Sequence, residues 1–195
     1  MTKASAQTRE QILAAAAETL QEDGFAGATT RAIARRGGFN QALVFYHYGS
    51  LEGLLVAVLD RTAAQRLHRY RAELGNVGSF ADLFARLRLL HQEDQESGHV
   101  RVLSQLIAGA LTRPDLAPAV LERFAPWQSL TEETITRLLR GSPLEDVVPV
   151  SLLARAALTY YLGASLFDVL APAEDVTDEL LVRSIALEPL LTAAL

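Results

Sequence analysis

Residues 24–54 read GFAGATTRAIARRGGFNQALVFYHYGSLEGL and are the most informative stretch of this chain. Two short helical patterns lie on either side of a Gly-Gly pair at residues 37–38. The first begins at Thr29, whose side-chain oxygen can cap a helix, and it carries Ile33 and Ala34 toward a core. Because glycines turn without a Cβ clash, the second helix can cross the first steeply and present its outer face. This layout predicts a helix-turn-helix over about residues 29–48.

Amphipathic helices are predicted before and after this stretch. From Thr8 to about Asp23, apolar residues recur at steps of three and four, and Gly24 ends the pattern. A longer helix is predicted from Ser50 to about Leu74. Its apolar face consists of Leu54, Leu55, Val58, Leu59 and Thr62. We therefore expect an N-terminal domain over residues 1–50 and a second helical domain over residues 51–195, with the long helix as a lever between them.

The remaining chain reads as helical blocks separated by glycine or proline. Ser79 and Asp82 resemble a capping box, and Pro118 fits the first turn of a helix. Pro126 is expected to kink or split the helical pattern in which it lies. The predicted blocks after residue 98 are His99–Arg113, Asp115–Arg140, Pro149–Leu170 and Asp175–Leu195. Without an alternating strand pattern or an internal repeat, the sequence predicts an all-α fold of about nine helices.

Composition excludes several classes of protein. The 195 residues are 50% hydrophobic and include no cysteine, so disulfides and thiolate metal sites are impossible and a reducing cytoplasm is expected. No apolar run reaches the roughly 18 residues of a membrane helix, and the polar start lacks a signal-peptide pattern. No phosphate-binding glycine loop, dinucleotide fingerprint or nucleophile elbow occurs. We therefore expect neither an enzyme nor a cofactor.

The charge distribution restricts any nucleic-acid contact to a local surface. The net charge is −5, but residues 1–50 carry +1 and residues 51–195 carry −6. Arg31, Arg35 and Arg36 lie in the first helix of the motif, whereas the four acidic residues of the first fifty all precede it. Arg31 and Arg35 are candidate phosphate ligands. In the second helix, Gln41 is expected on the outer face, where glutamine can pair with adenine.

A resemblance to the TetR family of bacterial transcriptional regulators rests on TTRAIARRGGFNQALVFYHYGSLEGLL and covers about residues 8–60. It implies a DNA-binding helix-turn-helix followed by a divergent helical domain. Thr30 and Arg31 are the implied contacts at the start of the first motif helix. The implied groove and backbone contacts are Gln41, Ala42, Leu43, Phe45, Tyr46 and His47. Read without the family, His47 could equally cap or pack the end of its helix.

Three positions depart from the family pattern. Leu51 stands where a lysine is usual, Phe45 where a tyrosine is usual, and Ala42 where a glycine or proline is usual. The first two changes each remove a phosphate partner. Because each neutralised phosphate adds roughly one unit to the slope of log affinity against log salt, we expect modest affinity and a shallow salt dependence.

The last two helical blocks are apolar on more than one face, which is typical of a core or an interface. A two-fold dimer reads two half-sites about 34 Å apart, so DNA recognition itself requires a dimer surface. The resemblance implies that these two helices form it. The predicted interface residues are Leu158, Leu162, Ser165, Leu166, Leu181, Ile185 and Leu187.

A ligand cavity is the weaker inference, since the same side chains could form a plain core. Large apolar residues with a few polar groups would suit a mostly hydrophobic small molecule. The candidates are Phe84, Leu87, His91, Leu106, Phe124, Trp127, Gln128 and Tyr161. Trp127 ranks first because it follows Pro126. We expect no metal site, since the segment from His91 to His99 does not place two histidines and a carboxylate on one helical face.

The sequence therefore predicts a homodimeric repressor that binds a palindromic operator in double-stranded DNA and is released by a small, mostly apolar effector. Two alternatives remain open. One is a helical small-molecule binding protein or enzyme whose helix-turn-helix is structural. The other is a dimeric adaptor with Leu43, Phe45 and Tyr46 as an exposed apolar patch. Activation in place of repression is also open.

Overall fold

The computed structural model describes residues 3–96, 99–113, 115–171 and 175–186. Within these ranges the chain forms ten helices and no strand, which confirms the all-α prediction. The helices are α1 Lys3–Gly27, α2 Thr30–Gly37, α3 Ala42–Tyr48, α4 Leu51–Leu74, α5 Phe80–Glu96, α6 His99–Thr112, α7 Ala117–Glu122, α8 Ala125–Leu139, α9 Val150–Leu170 and α10 Val176–Ala186.

Local signals in the sequence set most helix ends. The backbone of Gly24 has φ 70°, which interrupts α1. A short helical turn then follows as far as Gly27, before α2 begins. Ser79 Oγ accepts a hydrogen bond from the amide of Asp82 at 3.1 Å and so caps α5. Pro118 and Pro126 each lie in the first turn of a helix, which explains why the predicted block 115–140 is two helices, α7 and α8.

The chain divides into two compact units. The N-terminal unit comprises the described residues up to Ala64 together with Arg101–Arg123, and the C-terminal unit comprises Gln65–Val100 and the described residues from Phe124 onward. This division differs from the expected boundary at residue 50. The first half of α4 belongs with the N-terminal helices because Leu54, Leu55 and Val58 are fully buried in their core.

The core of the N-terminal unit joins α1 to α4 with part of α6. Its members are Ile12, Leu13, Ala15, Ala16, Leu20, Ala28, Ile33, Val44, Leu54, Leu55, Val58, Leu59, Val102 and Leu106. A further link is the amide of Phe25, which donates to Gln105 Oε1 at 2.9 Å just after the break at Gly24. The helix-turn-helix therefore rests on a scaffold that includes α6, a helix far away in sequence.

The C-terminal unit contains the other two core clusters. The larger one surrounds Tyr70, Leu74, Val77, Leu83, Leu90 and Leu130, and the smaller one surrounds Ile135, Leu139 and Ala154. In this unit α10 packs against α5 and α9, and α8 packs against α9. Among the described helices, α9 alone is long and apolar enough to cross a membrane, and 17% of its 18-residue apolar segment is buried inside the protein. Helices α3 and α4 reach that length and apolarity only if they are counted as one span, and they meet at a bend of 63°.

Candidate nucleic-acid interface

The turn between α2 and α3 is built as the sequence predicts. Thr29 Oγ1 accepts a hydrogen bond from the amide of Ala32 at 3.2 Å, which caps α2. Gly38 adopts the left-handed conformation at φ 68°, and its amide donates to the carbonyl of Ala34. Asn40 Oδ1 then accepts from the amide of Ala42 at 2.9 Å and helps to start α3. These local bonds fix where α3 begins.

Helix α3 has one buried side and one exposed side. Val44 is fully buried in the core of the N-terminal unit and anchors the helix. On the other side, Phe45 is 52% exposed and Tyr46 is 81% exposed, and Gln41 is exposed just before the helix. Because these two large aromatic side chains do not pack against the core, the exposed side of α3 is available to a partner.

Two of the predicted contacts are less accessible than expected. Ala42 is exposed, but Leu43 is half-buried because it packs against the core of the N-terminal unit. Leu43 is therefore partly a core residue, and only its outer edge can meet a groove. His47 is half-buried and stacks edge-on against Tyr46, with ring centroids 4.8 Å apart.

The end of α3 is tied to α1. Tyr48 donates a hydrogen bond from its hydroxyl to the carbonyl of Arg9 at 2.9 Å, and the Arg9 guanidinium lies 4.8 Å from the centre of the Tyr48 ring. Arg9 also donates to the carbonyl of His47 at 3.4 Å. Burial raises the pKa of Tyr48, so its hydroxyl stays a donor. These bonds fix the orientation of α3.

The positive charges of α2 differ in what they contact. Arg31 and Arg35 are exposed, and within the described residues neither has an acidic group within 4 Å. Arg36 instead pairs with Glu22 at 2.5 Å and with Asp23 at 3.0 Å. Both acidic residues lie on α1, so this pair stabilises the packing of α1 against α2. Arg31 and Arg35 are the arginines of α2 that remain available to phosphate.

The start of α4 explains the unusual residue at position 51. Leu51 is half-buried and packs against the core of the N-terminal unit. Ser50 Oγ accepts from the amide of Gly53 at 3.0 Å and caps the helix. A backbone hydrogen bond to the carboxylate of Glu52 lowers its pKa, and so does the hydrogen bond from Arg113 at 2.6 Å. Position 51 therefore carries an apolar side chain that packs on the core.

The predicted ligand-site residues do not form one group. Leu106 is 2% exposed and lies in the core of the N-terminal unit, so its prediction as a pocket wall of the second domain is wrong. Leu87 and Trp127 pack against the larger core cluster of the C-terminal unit. Phe84 and Phe124 lie in the same unit but outside that cluster. Gln128 donates to Glu132 at 2.8 Å. A shallow groove of about 250 Å³ in this unit is lined by Arg69, Glu73, Arg86, Leu89, Leu90, Gln92 and Glu93 and by none of the predicted residues.

A buried polar network in the C-terminal unit was missed by the sequence analysis. Arg66 forms a two-pronged ion pair with Asp94, its Nε lying 2.6 Å from Oδ1. Tyr70 donates to Asp94 Oδ2 at 2.7 Å, and Tyr161 donates to the same oxygen at 3.3 Å. Arg66 also lies 5.4 Å from the centre of the Trp127 ring. Periodicity could not reveal this network, because α4, α5 and α9 each contribute polar residues to an otherwise apolar face.

The exposed face of α9 differs from the predicted interface face. Leu158, Leu162 and Leu166 are half-buried, as are Leu181 and Ile185 on α10. Ser165 is 1% exposed within its own chain, so it cannot reach a second chain and this prediction is wrong. Leu187 lies outside the described residues. The exposed stripe of α9 is made of Leu153, Ala156, Ala157, Tyr160, Phe167 and Leu170.

Sequence comparisons agree with the geometry of the N-terminal unit. Residues 12–58 match the family model for "Bacterial regulatory proteins, tetR family". The chain is 35% identical over 71 residues to the HTH-type transcriptional regulator BetI of Stenotrophomonas maltophilia (strain R551-3), which covers 35% of this chain and 36% of BetI. It is 29% identical over 149 residues to the HTH-type transcriptional repressor AcnR of Corynebacterium diphtheriae, which covers 74% of this chain and 72% of AcnR.

The fold also matches solved structures along most of its length. The transcriptional regulator FadR from Bacillus subtilis, in complex with stearoyl-CoA, superposes with a TM-score of 0.74 at 15% sequence identity. The match covers 91% of this chain and 96% of FadR. At this identity the likeness establishes the fold.

Proposed function

This chain belongs to the TetR family of bacterial regulatory proteins and is a transcriptional regulator, and from that premise we propose that it is a cytoplasmic repressor. It binds a palindromic operator as a homodimer and leaves the DNA when a small, mostly apolar effector binds its C-terminal unit. The repressor assignment is supported by the name of AcnR, a relative whose match covers 72% of its length.

One observation carries the proposal, namely the exposed side of α3. Gln41 and Tyr46 point away from a helix that Val44 fixes to the core. An α-helix presented in this way fits the major groove, where glutamine can read adenine with a paired donor and acceptor. Phe45 offers an apolar surface to thymine methyl groups or to the sugar backbone. We therefore assign base recognition to Gln41, Ala42 and the outer edge of Leu43.

Backbone contacts are assigned to α2 and to the end of α3. Arg31 and Arg35 have no acidic partner in the described chain, so their charges can neutralise phosphates without breaking an ion pair. Thr30 lies one position earlier at the N-terminus of α2, where backbone amides attract an anion. His47 stacks on Tyr46 and can donate to phosphate beside it. These contacts position the protein and carry no sequence information.

The exposed stripe of α9 supports the homodimer. Tyr160 is 55% exposed, Phe167 is 67% exposed and Leu170 is 79% exposed, and all three lie on one face of a 21-residue helix. Ala156 and Ala157 lie on the same face and allow a second helix to approach closely. Burying such a face against its symmetry mate removes the apolar surface from water, and a two-fold axis also matches a palindrome.

The effector proposal rests on the polar network around Arg66 and on α4. Trp127 packs edge-on against Tyr70 with ring centroids 5.0 Å apart, beside Arg66 and Asp94. An effector that inserts among these groups would have apolar walls and a few polar partners. FadR, which shares the fold, is named as a complex with stearoyl-CoA, a ligand with a long apolar chain. Arg66 and Tyr70 lie on α4, whose first half belongs to the N-terminal unit, so α4 is the proposed lever.

The test is a gel shift with the DNA that flanks the coding region of this protein. The purified protein is expected to bind a palindrome there in preference to random duplex, and the preference should weaken as salt rises. Gln41→Ala should remove most of the preference, whereas Gln65→Ala, on the exposed surface of α4, should leave it unchanged. Equal binding of all duplexes by the wild-type protein would contradict the repressor proposal.

A pull-down separates the adaptor alternative. If Phe45 and Tyr46 dock a protein, capture of that protein should survive nuclease treatment and high salt, while DNA should show no preference. If the helix-turn-helix is only structural, Arg31→Ala and Gln41→Ala should change neither DNA binding nor any other activity.

A further inference from the structure

His91 meets two carboxylates that lie far away in sequence. It is fully buried on α5, and its Nε2 lies 3.1 Å from Asp175 Oδ1 and 3.8 Å from Asp168 Oδ2. One ligand atom from each residue lies within 4.8 Å of the other two. Metal bonds to nitrogen and oxygen are about 2.0–2.2 Å long, so one ion could reach all three after a small rotation of the partly exposed Asp175.

The charge of this cluster comes from two carboxylates. Asp168 is 4% exposed, and within the described residues no arginine or lysine lies within 4 Å of its carboxylate or of that of Asp175. The nearby Arg88 is committed to Asp178, with its Nε 2.6 Å from Oδ1. The Asp168 carboxylate is held by hydrogen bonds from Val176 and Thr177 and faces His91, and a bound divalent ion would supply the positive charge that neutralises both acidic groups.

The groups around the cluster orient its ligand atoms. His91 Nδ1 lies 3.4 Å from the hydroxyl of Tyr161, which leaves Nε2 directed at the carboxylates. Asp168 Oδ1 accepts from the amide of Val176 at 2.9 Å, and Thr177 donates to Oδ2 at 2.5 Å. Metal-binding histidines and carboxylates are usually held by such outer hydrogen bonds, which fix their orientation.

We propose that His91, Asp168 and Asp175 bind a divalent transition-metal ion, with Zn²⁺ as the representative. Imidazole favours Zn²⁺ and its transition-metal neighbours over Mg²⁺ and Ca²⁺, and aspartate oxygens are also ordinary ligands of Zn²⁺. Three protein ligands leave at least one coordination position for water. The ion would join α5, α9 and the start of α10. The proposal concerns the C-terminal unit alone and does not rest on DNA binding.

The experiment is calorimetric titration of the full chain, first treated with EDTA, with Zn²⁺ and separately with Mg²⁺. One equivalent of Zn²⁺ is expected to bind, with much weaker binding of Mg²⁺. Co²⁺ should give visible absorption bands, a signature of ligation that a structural role would not produce. Asp175→Asn keeps an oxygen for the amide of Asp178 but removes the charged ligand, and it should weaken Zn²⁺ binding by more than tenfold.

Asp178→Asn is the matched control, because it removes one carboxylate three residues away that contacts Arg88. It should leave the Zn²⁺ affinity within about twofold of wild type, whereas loss of a group that hydrogen-bonds to a metal ligand weakens binding by ~10–100-fold. Tyr161→Phe keeps the packing but removes the hydroxyl beside His91, so it should weaken binding by about tenfold. Absence of stoichiometric Zn²⁺ binding by the wild type, or equal losses in Asp175→Asn and Asp178→Asn, would overturn the metal site.

Discussion

The ring of Phe25 lies directly against Gly109, in the space that a side chain at position 109 would occupy. Phe25 follows the break at Gly24, and Gly109 lies on α6, so this contact joins the start of the motif to a helix 84 positions later in the sequence. The amide of Phe25 is bonded to Gln105 on the same helix. The N-terminal unit thus depends on a close approach that only glycine permits.

Gly109→Ala is predicted to destabilise the protein by ~1–3 kcal/mol, because an added methyl group would force the Phe25 ring out of its position. Urea unfolding measures the effect. Gly78→Ala serves as the control, since an added Cβ there meets nothing within 4 Å, and its effect should stay within about 0.5 kcal/mol. Equal stabilities of the two variants would contradict the packing argument.

Arg31→Ala is predicted to weaken DNA binding and to lower the slope of log affinity against log salt by roughly 0.9 unit, because one phosphate contact is lost. Affinity titrations at several salt concentrations give the slope. Arg36→Ala is the matched control on the same helix, because Arg36 is paired with Glu22 and Asp23. An identical change of slope in both variants would show that the contact is not specific to Arg31.

Phe45→Tyr is predicted to tighten DNA binding about three- to tenfold, because it adds a hydroxyl donor to phosphate at a position that is 52% exposed. Stability should not change, since the new hydroxyl remains in water in the absence of DNA. The reciprocal change Tyr46→Phe, at the neighbouring and more exposed residue, tests whether any tyrosine hydroxyl on α3 has this effect. Unchanged affinity for Phe45→Tyr would show that position 45 does not face a phosphate.

Phe167→Glu is predicted to convert the proposed dimer into a monomer, because it places a charge within the exposed stripe of α9, near its C-terminal end. Analytical ultracentrifugation over a range of concentrations measures the dissociation constant. Leu111→Glu, at a residue of α6 that is 82% exposed, alters a comparable apolar side chain away from this stripe and should leave the dimer intact. A Phe167→Glu protein that sediments as wild type would place the interface elsewhere.

Stability is predicted to fall in acid because of His99. Burial lowers the pKa of His99 from 6.5 to about 3, and the nearby charge of Arg66 adds to the effect. Below pH 6.5 the unfolded chain binds a proton that the folded protein excludes. The contribution of His99 to the free energy of unfolding is therefore complete above pH 6.5 and is lost as the pH falls toward 3, by about 1.4 kcal/mol per pH unit.

Urea unfolding at pH 7, 6 and 5 measures this slope. His99→Gln cannot take up a proton, so its stability should depend less steeply on pH over the same range. The other titrating groups are unchanged between the two proteins, so the difference between their slopes isolates His99. Equal slopes would mean that His99 is not held neutral by burial.

Helix starts and stops could be predicted because their causes are local. Thr29, Gly38 and Ser79 act through hydrogen bonds or backbone angles that involve residues at most four positions away. The exposed face of α3 could be predicted for the same reason. Once one residue of a helix is buried, the helical spacing determines which of its neighbours lie on the opposite side. Leu43 was less predictable, because its contact with the core depends on how deeply α3 settles among α1, α2 and α4.

The pairings between distant helices could not be predicted. The position of Leu106 in the apolar pattern of α6 does not distinguish it from the other apolar residues of this helix. Only the packing of the helices places it in the core of the N-terminal unit. His91 appears in the sequence beside acidic residues of α5, yet its Nε2 faces carboxylates of α9 and the α10 start, 77 and 84 positions away. Helical periodicity carries no information about which distant face lies opposite a given residue.

The sequence by itself determined an all-α chain with a helix-turn-helix at residues 29–48, because caps, glycine turns and apolar spacing act over a few residues. Tertiary packing decides that Arg36 is paired while Arg31 has no acidic partner in the part of the chain that the structure describes, which face of α9 stays exposed, and that His91 meets Asp168 and Asp175. These features depend on long-range packing, in which each helix places its side chains against partners that are close in space and remote along the chain.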